Sequence, residues 1–172
     1  PMAPDLQPLG DFIWGIASFF YHLAMTLEAV LASLHLLAIL TLVVFLSSQA
    51  ALCRPEWMNA AVVQRLARLD ILYGVAAGLL LLSGMARVVW GVKGMGWYLG
   101  QPMLHLKVTL LVLAALLSIK PSLDFRRWRK ALKADGSLPT EEAVRRTRRW
   151  IMWQAHIIPV IAVIAVFWAR GW

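Results

Sequence analysis

Four stretches of the chain are apolar and almost uncharged over the length that a membrane crossing requires, about 20 residues for a hydrocarbon core of roughly 30 Å. They cover residues 29–52, 69–90, 102–119 and 150–170, with polar connections between them. Each run predicts a transmembrane helix. Residues 9–27, containing FIWGIASFFYHLAMTL, are too apolar for a solvated arm, yet they carry Asp11, end beside Glu28 and are rich in aromatics. That combination predicts a helix lying in the interface rather than a fifth span. The expected fold is therefore all-α: an integral membrane four-helix bundle over residues 29–172, preceded by an N-terminal interfacial segment, 1–28.

Composition agrees with the pattern. Hydrophobic residues make up 60% of the chain and charged residues only 15%, and the mean hydropathy is +0.69. That is more apolar content than a soluble core of this size uses. The nine tryptophans fall mostly near the ends of the apolar runs, where an indole is best satisfied at headgroup level. The single Cys53 excludes an intramolecular disulfide.

Charge adds an orientation. Ten Lys and Arg residues lie between Lys120 and Arg149, and Arg54, Arg65 and Arg68 lie between the first two spans. The other side carries Lys93 and Arg170. The positive-inside rule predicts a cytoplasmic 120–149 connection and both termini outside. RRWRK (126–130) and RRTRR (145–149) would suggest nucleic acid in a soluble protein. Here each run abuts a span, and anionic lipid headgroups are the partner it fits, so no nucleic-acid role is expected. Gly136 and Pro139 predict a turn between two short amphipathic helices, the second capped by Thr140 with Glu141 and Glu142 in its first turn. No phosphate loop, nucleophile elbow, CxxC or HExxH motif is present, and Gly91, Gly94, Gly96 and Gly100 read as a turn.

Three ionisable residues stand out against the apolar runs: His35, Arg87 and Lys107. At 1.5 Å per residue they lie about 9, 4.5 and 7.5 Å inside the outer ends of their spans, one common layer. Charges at such depth tend to mark a site. Glu28 and His35, seven apart, share a face of the first span, while Tyr73, Ala77, Gly84, Arg87 and Gly91 form a stripe on the second. His105 and Lys107 are about 200° apart around their helix, so only one of them can face the bundle centre. His156 enters from the opposite side, roughly 12 Å from the layer of His35, and reads as a packing or interfacial residue.

An imidazole with two cations in an aromatic-rich, half-buried setting suits haem b or a related tetrapyrrole, with His35 as axial metal ligand and Arg87 and Lys107 pairing with propionates. Copper is a second candidate, because Met85, Met95 and Met103 are predicted on the same side as His22 and His105. No closely spaced Met/His motif accompanies them.

The stretches LASLHLLAIL, RLARLDILYGVAAGLLLLSGMARVVWGVKGMGWYL and LHLKVTLLVLAALLSIKPSLDFRRWRK resemble an uncharacterised bacterial family of four-span membrane proteins, a domain of unknown function, over about residues 28–170. That resemblance implies the inner membrane of a bacterium. More distantly, the placement of His35 and Lys107, with Arg87 a looser match, is similar to the four-helix protoporphyrinogen oxidase of haem synthesis, which would imply haem binding. The expected function is a tetrapyrrole site in the outer half of the bundle, serving redox or haem-related chemistry. The alternative is a cofactor-free accessory subunit of a larger respiratory or photosynthetic membrane complex, docked through the aromatic N-terminal segment.

Overall fold

The computed structural model describes residues 7–90, 96 and 100–169, the outermost residues of the first and last helices by backbone only. Four helices account for nearly all of it: α1 (Gln7–Leu52), α2 (Ala60–Trp90), α3 (Pro102–Asp135) and α4 (Glu141–Ala169), with a short 3-10 turn at Pro55–Trp57. All four are long and apolar enough to cross a membrane. No strand occurs among the described residues. The all-α four-helix membrane bundle read from the sequence is the fold observed.

The helices pair as two antiparallel hairpins, α1 with α2 and α3 with α4, which meet chiefly through α2 and α3. Each helix buries one stripe. On α1 the buried positions are Ala38, Leu42, Leu46 and Gln49, and on α4 Val144, Thr147, Ile151 and Gln154, steps of three and four residues that keep one face inward. The core gathers at the end that carries residues 120–149, hereafter the basic end. There Cys53, Val63, Leu66, Phe125, Val144 and Ile151 are fully buried, and Phe125 meets Trp128 edge to face at 5.5 Å. Towards the opposite, distal end the helices turn most of their apolar surface outward, as a lipid-facing bundle does.

Two boundaries differ from the sequence reading. No helix end separates residues 28 and 29: the N-terminal segment and the first span are one helix of 46 residues. Nor does 120–149 form separate short helices. α3 continues unbroken to Asp135 and α4 begins at Glu141, leaving only residues 136–140 non-helical. The physical reason is that the buried stripe of α3 runs straight through the charged region, from Ala114 to Pro121, Asp124, Phe125 and Trp128. Packing continues where hydrocarbon ends. Gly136, with φ 75°, stops α3 in the left-handed conformation that glycine accepts, its N–H donating to the Leu132 carbonyl. The expected cap of α4 is present, with the Ala143 N–H donating to Thr140 Oγ1 at 3.3 Å and Glu141 and Glu142 in the first turn. Asn59 caps α2, its Oδ1 accepting from the Val62 N–H at 3.0 Å.

Candidate functional site

Antiparallel packing of α1 and α2 builds the first cluster of polar groups. The register sets Glu28 beside Arg87 and His35 beside Ser83, near the distal end. Arg87 donates from Nη2 to Glu28 Oε1 at 3.2 Å. His35 Nδ1 lies 2.9 Å from Ser83 Oγ, and the Ser83 hydroxyl donates to the Leu80 carbonyl at 3.1 Å. A serine has a single O–H to give; with it on the Leu80 carbonyl, the Ser83 oxygen is placed to accept from a protonated Nδ1 of His35, the tautomer whose lone pair is on Nε2. The ring lies against Gly84, where a Cβ would come within 3.3 Å of His35 Cε1. That contact is tight enough to explain a glycine there.

Lys107 projects from α3 into the same region. The positive charges of Arg87 and Lys107 both act on His35, and that of Arg87 acts on Lys107. The three residues singled out in the sequence are thus brought together, each partly buried. Two atoms of the cluster are buried without a hydrogen-bond partner among the described residues: Glu28 Oε2 and Arg87 Nε. A buried, unsatisfied guanidinium N–H is costly, and an acceptor supplied from outside the chain would relieve it.

The other candidates lie apart. His105 is exposed while Lys107 is half-buried, the division expected from their spacing. His156 is exposed and its Nδ1 bonds to the Met152 carbonyl of its own helix at 2.6 Å. His22 is exposed, edge-on to Tyr21, and Met85 is 64% exposed. Met95, Gly91, Gly94, Lys93 and Arg170 lie outside the described residues. Among the described residues no group of three or more His, Cys, Asp or Glu is placed to hold a metal ion.

A second polar cluster was not foreseen from the sequence. At the basic end Asp124 is 5% exposed and accepts from Lys120 and, at 2.6 Å, from the Thr147 hydroxyl. Asp70 accepts from Ser122. Gln154, 1% exposed, donates to Tyr73 Oη at 2.8 Å and to the Ala114 carbonyl at 2.9 Å. These bonds tie α2, α3 and α4 together. Lys120 and Asp124 are one turn apart and Thr147 and Gln154 two turns apart, a spacing that could have marked them, but the surrounding Lys and Arg residues obscured it. Cys53, just beyond α1, is fully buried, and burial pushes its thiol up to about 12, Arg148 opposing the rise and Asp124 adding to it.

The family described as "Predicted membrane protein (DUF2214)" matches residues 27–172, a stretch that takes in Glu28, His35, Arg87 and Lys107. No curated protein and no solved structure matches the chain. These comparisons lend no support to the distant likeness to protoporphyrinogen oxidase.

Proposed function

Since the chain belongs to the DUF2214 family of predicted membrane proteins, we propose that within the membrane it holds haem b or a related tetrapyrrole against the α1–α2 face, in a redox or haem-related role. The single observation that carries this reading is the hydrogen bond from His35 Nδ1 to Ser83. It supports a held ring orientation and, with Nδ1 as the donor, an Nε2 left for a metal, the way ligating histidines are held by a second hydrogen bond. Gly84 gives the ring room. The orphaned Nε of Arg87 suits a propionate carboxylate beside Glu28, and Lys107 adds a second cation for it. Bound haem supplies one-electron chemistry. His35 would orient the ligand, and Arg87 and Lys107 would hold its propionates.

The test is an oxidised-minus-reduced visible spectrum with pyridine haemochrome quantitation, on protein purified from its native membrane. A Soret band that disappears in His35→Ala is expected. Ser83→Ala keeps the ligand but weakens its hold by roughly 10–100-fold, the usual cost of losing such an orienting bond. Protein from native membrane with no Soret band would reject the reading.

By the positive-inside rule the basic end faces the cytoplasm of a bacterial inner membrane, with both termini outside. One observation favours the accessory-subunit alternative. Phe12, Trp14, Phe19, Phe20 and Tyr21 on the first half of α1 are all more than 60% exposed among the described residues. Native electrophoresis of gently solubilised membranes distinguishes the two, because a subunit runs with a larger complex and a Phe19→Ala/Phe20→Ala variant leaves it.

A further inference from the structure

The four arginines between residues 145 and 149 have different surroundings. Arg145 faces Glu141 at 3.4 Å, one turn earlier. Arg148 turns inward and donates to the carbonyls of Ala50 at 2.8 Å and Cys53 at 3.3 Å. Arg146 and Arg149 make no hydrogen bond or ion pair with the described residues. Both line the mouth of an open groove of about 570 Å³ between α3 and α4.

Below the two arginines the groove is apolar. Its walls are Trp150, Trp153 and Ile157 on α4 and Leu113 and Leu117 on α3. From Arg146 to Ile157 α4 advances eleven residues, about 16 Å, half of a hydrocarbon core of roughly 30 Å. The groove therefore runs the depth of one leaflet. Two cations without a partner among the described residues stand at its surface end, tryptophans at headgroup level, and Leu113 and Ile157 deeper towards the midplane.

We propose that this groove binds one anionic glycerophospholipid of the leaflet on the basic side, its phosphodiester held between Arg146 and Arg149 and an acyl chain lying along Leu113, Leu117 and Ile157. Charge complementarity selects the occupant. A neutral lipid would fill the walls and leave both guanidinium groups unpaired, and a soluble phosphate would pair them and leave the walls bare. Paired arginines at the membrane surface between transmembrane helices are a recurrent seat for such headgroups.

Native mass spectrometry of the intact protein in detergent, titrated with phosphatidylglycerol or phosphatidylcholine, tests the site. Phosphatidylglycerol is expected to bind at least tenfold tighter than phosphatidylcholine. Arg146→Gln/Arg149→Gln abolishes that preference, whereas Arg127→Gln/Arg145→Gln, with the same loss of charge, retains it. Leu117→Trp, with both arginines intact, weakens phosphatidylglycerol by at least fivefold by filling the groove. Equal loss in the two double variants would replace the groove with diffuse surface attraction and overturn the proposal. Competition by glycerol 3-phosphate at concentrations matching the lipid would do the same, by showing a phosphate site that needs no chain.

Discussion

Thr147 is fully buried and donates to Asp124; in Thr147→Val the carboxylate loses that donor and keeps Lys120, and stability falls by about 1–3 kcal/mol, read as a lowered midpoint in thermal unfolding in detergent. Gly84 acts by what it lacks. Gly84→Leu drives a side chain into the space of the His35 ring, so its expected result is loss of tetrapyrrole binding together with a weakened α1–α2 contact, while Gly78→Ala, which meets nothing within 4 Å, changes neither. Cys53 makes a pH prediction. Its thiol, raised to about 12 from an ordinary value of 9.0, keeps its proton in the fold at pH values where the unfolded chain has lost it. Stability from this group is full below about pH 9 and declines as pH rises towards 12. Maleimide should leave the native protein unlabelled at pH 7–9 and label it after denaturation in dodecyl sulfate.

At the scale of the elements, apolar run length disclosed all four helices, because a membrane crossing imposes a length that few other structures need. What it could not disclose was where α3 ends and α4 begins. A run such as FRRWRK looks like the edge of a span, yet Phe125 and Trp128 are three residues apart and both buried, so the helix continues for reasons of packing that hydropathy does not see. The convergence of His35, Arg87 and Lys107 was legible as common depth. Ser83 was not, since a serine in an apolar helix carries no mark until the register with α1 is known. Nor was the pairing of Glu28 with Arg87, which depends on the tilt of two helices that the sequence leaves free. A helix-level prediction follows from the continuity of α3. Trp128→Ala, beyond the hydrocarbon, should destabilise the protein by about 3–5 kcal/mol, as truncation of a packed aromatic does, whereas Leu36→Ala, 55% exposed to lipid, should have little effect.

For the whole molecule, the division of the core matters more than its size. The basic end is tightly packed and bonded across three helices, and the distal end, where the His35 cluster lies, is held mainly by α1 against α2. Amide hydrogen exchange should be slowest around residues 62–73, 124–128 and 144–154 and faster in the distal parts of the same helices, since local opening is easiest where buried contacts are few. α1 has no basic residue in its own last turn, and the positive charge at its carboxyl end comes from a helix made nearly a hundred residues later. The first hairpin by itself makes no side-chain hydrogen bond to the carbonyls of Ala50 and Cys53 among the described residues, and the fourth helix, through Arg148, both answers them and joins the last hairpin to the first.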